Sequence, residues 1–455
     1  MKRIALFAGP ALAAIAGAYL YLNGSSAAVG WTAGVTILCA AWWIFEPIPI
    51  PATSLLPLAI LPLVGVLTPA EVGESYGNSL ILLLMGGFML STAMERSSVH
   101  RRLALNMVNL FGGGSGRPLV FGFMTAAAVL SMWISNTATT LMLLPIVLAV
   151  TQQTRDHRLQ LSLLLGIAYA GSVGGLGTPI GTPPNLIFMK VYAETTGTQL
   201  TFTEWMRWGL PITAIMVPII GLWLTRGLDN NEPLQLPAAG RWRTEEIRTL
   251  IVFGLTALAW ITRREPFGGW SELLGLPTAN DASVALLAVV AMFLVPNGHG
   301  SKLLDWKTAS GIPWGILILF GAGIAIAKAF GNSGISTTVG AALSGLQHLP
   351  LYLVIVLVCL TVTFLTEVTS NTATTALLMP IMAAAAISSG LDPRLLMVPA
   401  AMTASCAFML PVATGPNAVV FSSDRVLIRE MAREGLILNL IGVLVVATVC
   451  YFLFS

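Results

Sequence analysis

The sequence predicts an all-α polytopic membrane protein with about 11 transmembrane helices, two re-entrant hairpins and two broken helices. Three observations lead there. The 455 residues are 56% hydrophobic and only 9% charged, with a mean hydropathy of +0.82, whereas a soluble chain carries about 25% charged residues. Apolar runs recur at 30–45, 80–94, 249–261 and 436–454, and with their flanks they reach the ~20 residues that a bilayer crossing needs. The polar hexapeptide SNTATT occurs twice, at 135–140 and 370–375, an offset of 235.

The N-terminus, MKRIALFAGPALAAIAGAYLYL, has the layout of a secretory signal peptide. So many spans follow it that it reads instead as a first span, with Lys2 and Arg3 held in the cytoplasm. The expected place is the cell (inner or plasma) membrane, N-terminus inside and C-terminus outside. With 11 spans and two stretches (118–150 and 351–389) that enter and leave on one side, 17 of the 23 basic residues fall inside, as the positive-inside rule asks. Lys190, Arg207, Arg263, Arg264, Lys328 and Arg394 fall outside, and the Arg263–Arg264 pair is the one blemish. Cys39, Cys359, Cys406 and Cys450 sit in apolar runs without a CxxC, which points to neither a metal cluster nor a disulfide framework. The net charge of +3 bears on orientation rather than on a partner.

The repeat extends beyond the hexapeptide. SNTATTLMLLP (135–145) and SNTATTALLMP (370–380) agree at eight of eleven positions. The same offset pairs Ser131 with Thr366, Gly86 with Gly321 and Ser98 with Ser333. PIGTPPN (179–185) pairs with PVATGPN (411–417) at an offset of 232. In the topology above the first hairpin opens inside and the second outside, so the halves form an inverted repeat, the architecture of many secondary transporters.

Hydrocarbon tolerates irregular backbone only where protein or a wet cavity satisfies it. SNT at the tip of a re-entrant hairpin meets that condition and can cap free N–H groups. The segments GTPIGTPPN (177–185) and LPVATGPN (410–417) place Gly and Pro inside apolar spans, and each span should break there. A broken span offers carbonyls suited to Na⁺ and positive half-helix N-termini suited to an anion. Two copies meeting at the midplane give one anion pocket flanked by two cation sites. The competing reading is plain packing, in which Ser and Thr bond their own backbone and Asn joins helices. Two identical copies, each followed by a proline-broken span, favour the composite site.

These residues, with EPIPIPATS (46–54), LMGGFMLSTAMERSSVHRRLAL (84–105) and PWGILILFGAGIAIAKAF (313–330), resemble the divalent anion/sodium symporters over nearly the whole chain. The resemblance implies transport of di- or tricarboxylates or sulfate by a homodimer, in which a transport domain moves past a scaffold like an elevator. It implies a first Na⁺ site at Ser131, Ser135, Asn136 and Gly181, and a second at Thr366, Thr369, Asn371 and Ala413. It places Ser135, Asn136, Thr137, Thr182, Ser370, Asn371, Thr372 and Thr414 around the substrate. Gly415 stands where the family's LPVAT-x-PN pattern would have proline or alanine. The chain then divides into scaffold (1–111), transport part (112–232), scaffold (233–345) and transport part (346–455). The span near 205–225 and the last span are expected to move with the transport parts.

No Arg or Lys lies in the two SNTATT copies or in GTPIGTPPN and LPVATGPN. A dianion in a neutral intramembrane cavity needs compensating charge, and bound Na⁺ supplies it. The expected function is therefore Na⁺-coupled symport of a C4 dicarboxylate into the cytoplasm. A Na⁺-independent exchanger, or a citrate or sulfate symporter, is the alternative. Glu367 and Glu46 are read as interfacial or capping groups rather than proton relays, and Lys328 as a snorkelling side chain. An enzyme is not expected: His100, His157, His299 and His348 lie at loops or span ends, and no HExxH occurs. Na⁺ is the only expected co-transported ion, with lipid around the protein and no organic cofactor or nucleic acid.

Overall fold

The computed structural model describes residues 2–111, 116–228, 234–237, 240–265, 268–338 and 349–454; His348 lies outside them. The protein is an all-helical, multi-pass membrane protein. Among the described residues eight helices are long and apolar enough to cross a bilayer, from Lys2–Leu22 to Ile428–Phe454. Large apolar side chains such as Phe7, Leu63, Leu110 and Phe452 stay exposed on the outside, where lipid is their solvent.

Three of the four hairpin limbs are shorter helices, and the fourth, Asn371–Ser388, is one of the eight. Gly116–Ser131 is followed by Asn136–Thr151, and Leu351–Thr366 by Asn371–Ser388. A limb of 16 residues rises about 24 Å at ~1.5 Å per residue, less than the ~30 Å hydrocarbon core. These limbs turn back where the polar Ser-Asn-Thr begins the second helix. Ser79–Ser97 and Trp314–Ser333 stand in the same relation as the limbs, each pair starting 235 residues apart.

Both predicted breaks are present. His157–Gly174 runs into a 3₁₀ turn, Gly175–Gly177, and helix resumes at Pro183–Thr196. Arg394–Thr403 ends, and Gly415–Phe421 begins after it. Pro183 and Pro416 stand at the first or second helical position, where a missing N–H costs nothing but the preceding helix cannot be continued.

The packing is crossed. The first part of each broken span lies against its own hairpin, while the second part lies against the second limb of the other hairpin. Thus Pro183–Thr196 meets Asn371–Ser388, and Gly415–Phe421 meets Asn136–Thr151. Phe202–Leu224 and Ile428–Phe454 pack against this assembly and each other. Buried Glu434 in the last helix accepts from Arg158 at 3.0 Å and Arg226 at 2.7 Å, tying three of these helices at one end. On the other flank Ser79–Ser97 packs along Asp281–Leu294, and Trp314–Ser333 along Ala27–Phe45 and Pro69–Tyr76.

Candidate functional site

The two SNT tips and the two breaks converge on one cavity of about 160 Å³. Of the sequence-predicted substrate residues, Ser135, Asn136, Thr137, Thr182, Asn371, Thr372 and Thr414 line it. Ser370 does not line it. Of the predicted Na⁺ ligands, Ser135, Asn136, Asn371 and Gly181 line it as well, while Ser131, Thr366, Thr369 and Ala413 are buried behind the wall. Gly87, Phe88 and Ser91 of Ser79–Ser97 and Pro313 and Ile316 beside or in Trp314–Ser333 close the other side. No charged side chain of the described residues lines the cavity.

The first half of the site is compact. Ser131 Oγ donates to Asn136 Oδ1 at 2.6 Å. A Cβ at Gly175 would stand 2.7 Å from Asn136 Oδ1 and 3.1 Å from the Gly181 carbonyl, so glycine leaves room for both oxygens beside it. Hydroxyl, amide and carbonyl oxygens are the donor set that suits Na⁺. Ser135 precedes Asn136–Thr151 without a side-chain cap, so its hydroxyl is not committed to the helix end. Trp133, next to the tip, stacks on Trp260 at 6.5 Å and meets Phe253 edge-on at 5.6 Å, both in Thr244–Ile261.

In the second half the same hexapeptide makes different bonds. Ser370 Oγ caps its helix by accepting from Ala373 N. Asn371 Oδ1 accepts from Thr372 N at 2.8 Å. Thr369 and Thr374 share a hydroxyl hydrogen bond of 2.6 Å, and Thr366 donates to the Thr363 carbonyl. Glu367 is 3% exposed and accepts from Met409 N and Leu410 N, each at 2.9 Å, and from Asn439 Nδ2 at 2.7 Å. It caps the broken span from inside the protein rather than from the water at a span end. Glu46 does sit at a span end, as the left-handed cap of Ala27–Phe45, and Lys328 reaches Glu74 at 3.0 Å.

The breaks leave backbone groups that must be satisfied inside the membrane. Asn185 Nδ2 donates to the carbonyls of Gly175 (2.9 Å) and Thr178 (2.8 Å). Asn417 Nδ2 does the same for Ala407 (3.1 Å) and Leu410 (3.0 Å). Trp205 Nε1 donates to Leu176 O, and Tyr169 Oη to Phe408 O. Gly415 has a steric reason: a Cβ there would lie 2.0 Å from Thr137 Oγ1, so glycine lets the first tip press against the second break.

Sequence reasoning passed over Asn185 and Asn417, although both close the repeated motif, and over Ser172 and Ser405. These two serines line the cavity. Their hydroxyls and the Oδ1 atoms of both asparagines are buried and make no hydrogen bond among the described residues. Recurrence near the same offset was the signal available.

Residues 40–394 match the family model described as citrate transporter. The chain is 38% identical over 444 residues to the sodium-dependent dicarboxylate transporter SdcS of Staphylococcus saprophyticus, an alignment covering 92% of this chain and 85% of that protein. The SdcS of Staphylococcus aureus strain MRSA252 matches at the same identity and coverage. The chain belongs to the divalent anion/sodium symporter family. The fold is also similar to the crystal structure of the YdaH transporter of Alcanivorax borkumensis, with a TM-score of 0.61 at 14% identity over 86% of this chain and 87% of that one. MtrF of Neisseria gonorrhoeae gives 0.57 at 14% over 86% and 83%.

Proposed function

We propose that the protein carries a C4 dicarboxylate such as succinate, malate or fumarate into the cytoplasm together with Na⁺. The observation that carries this reading is the charge-free cavity on which both SNT tips converge, joined to sodium-dependent dicarboxylate transporters as relatives at 38% identity. Two neutral donor sets at opposite ends suit an anion with two carboxylates. Asn136, Thr137, Asn371 and Thr372 would hold the carboxylates, with Ser135, Thr182 and Thr414 around them, while Ser370 caps its helix outside the cavity. One Na⁺ would sit among Ser131, Ser135, Asn136 and Gly181, the other among Thr366, Thr369, Asn371 and Ala413. Without them the dianion would be uncompensated in a region where charge is costly.

The moving unit in this proposal is 112–232 with 346–455, sliding past a scaffold of 1–111 and 233–345 that forms a homodimer. The N-terminus is placed in the cytoplasm and the C-terminus outside. The citrate-transporter match supports citrate as the second reading. The cavity is small, about 160 Å³, which favours the smaller C4 acids. Uptake of labelled succinate into proteoliposomes tests the proposal, with an inward Na⁺ gradient and with choline, and with unlabelled citrate and sulfate as competitors. Equal uptake in Na⁺ and choline would replace symport by exchange, and stronger competition by citrate would replace the substrate.

A further inference from the structure

A second cavity, of about 380 Å³, opens beside Arg263 and Arg264, the pair that the charge rule leaves on the unfavoured side. Its charged lining is Lys190, Arg263, Arg264 and Asp281. Arg263 grips Asp281 with Nε at 2.5 Å and Nη2 at 3.2 Å and donates to the Ala279 carbonyl at 3.1 Å. That pair cancels internally and fixes the wall. Arg264 is exposed and forms no ion pair among the described residues. Lys190 pairs with Glu194 one turn along its helix. With Glu194 included, three cations face two carboxylates, so the cavity keeps a positive excess of one.

The position of this cavity connects it with the SNT site. Leu80 and Leu83 line it, and Gly87 and Ser91 on the same helix line the central cavity. On the half-helix Pro183–Thr196, Lys190 lines the outer cavity and Pro183 the central one. Seven residues at ~1.5 Å each separate the two levels by about 10 Å. One wall belongs to the proposed scaffold and the other to the proposed moving part. A cleft with low-dielectric walls and a positive excess focuses field and concentrates anions, and the charge-free central cavity has no such means of attraction.

We propose that this cavity is a second, Na⁺-independent binding site for the dicarboxylate, a vestibule in which Arg264 and Lys190 hold the anion before it passes to the SNT site. The substrate class rests on the carrier reading above. Arg264 is exposed and Lys190, largely buried, is shared with Glu194, so binding is weak and is screened within ~8–10 Å at ordinary salt, and the vestibule acts at low ionic strength and sets the apparent affinity rather than the turnover.

Equilibrium binding of labelled succinate to the purified full-length protein, in Na⁺-free choline buffer of low ionic strength, tests it. Weak binding is expected that Arg264→Gln and Lys190→Gln each remove and Asn136→Ala keeps. Absence of Na⁺-free binding, or binding that Asn136→Ala removes and Arg264→Gln keeps, overturns the vestibule whatever the transport result. In uptake assays at fixed Na⁺, Arg264→Gln should raise KM about three- to tenfold at low ionic strength, with the difference vanishing as choline chloride is added. Arg264→Glu should do more. A KM for Arg264→Gln equal to the unaltered protein's at low salt, or a loss confined to Vmax, counts against the vestibule. Failure of the unaltered protein to show Na⁺-dependent uptake counts against the carrier reading alone.

Discussion

The first and second hairpins carry the same hexapeptide and hold it by opposite means. The first tip is fastened from outside its own motif: Trp133 stacks against Trp260 of Thr244–Ile261, and Gly175 leaves room for the Asn136 side chain beside it. The second tip is fastened from within, by Glu367 on the N–H groups of the second break. At the positions 235 residues apart, Glu367 faces Met132 and Val368 faces Trp133. Val368 is 63% exposed, so the second tip has no aromatic anchor. At the offset of 232 Gly175 and Gly181 become Ala407 and Ala413. Duplication kept the donors that face the cavity and let the supports diverge. The lesson is that the cavity surface and its scaffolding answer to different constraints.

The comparison can be broken by experiments ordered from the largest effect to the smallest. Asn136→Ala and Asn371→Ala should each lower Na⁺-driven succinate uptake at limiting substrate by roughly ten- to a hundredfold. Each removes a partner in a desolvated site, a loss of about 1–3 kcal/mol or more with charge. The double variant should lose little beyond the worse single one, because the two act on one ligand. If either single variant keeps near-normal uptake, SNTATT is only a helix cap and the composite site is wrong.

Glu367→Gln comes next. An amide cannot accept from both Met409 N and Leu410 N and from Asn439, so a buried donor loses its partner, at about 1–3 kcal/mol of stability. Thermal unfolding should show that loss, while Met132→Leu in the other half, a near volume-conserving exchange, should cost under about 1.5 kcal/mol. Equal shifts for the two would show that the supports are not specialised. Gly415→Ala forces Thr137 away from the second break, an overpacking worth about 1–3 kcal/mol. Adding Thr137→Ala should recover most of the melting temperature, and no recovery would place the strain elsewhere.

The smallest effect separates the serines. Ser370→Ala removes a helix cap and should cost about 1 kcal/mol in stability. Ser135→Ala removes no cap and should stay within about 0.5 kcal/mol, while raising the Na⁺ concentration needed for half-maximal uptake. Matching stability losses at the two positions would mean that Ser135 also serves its helix.

Much of this was legible in the sequence, for a physical reason. In a chain with 9% charged residues, hydroxyl and amide groups inside apolar runs stand out, and the Gly/Thr/Pro/Asn clusters mark the breaks where lone prolines such as Pro145, Pro211 and Pro218 do not. The hairpin limbs and broken spans therefore fall where SNTATT, TPPN and TGPN put them. The supports were not legible, because their partners are far apart in sequence. Nothing near Glu367 names Asn439, and Trp133 gives no hint of Trp260. Gly415 reads as a departure from the family pattern until Thr137 is seen against it. Arg263 and Arg264 count only as a blemish until Asp281, Lys190 and a cavity surround them.

The crossed packing has a consequence for how the protein is made. Pro183–Thr196 packs against Asn371–Ser388, and Asn136–Thr151 takes one of its neighbours from Gly415–Phe421. During synthesis the amino-terminal half must therefore wait in the bilayer, its tip and half-helix still lacking those partners, until some 190 later residues have been inserted (from Pro183 to Asn371, or beyond). Neither half can mature first and serve as a template for the other. The tips and breaks that line the central cavity come together from both halves, near the end of translation, as a single act of closure.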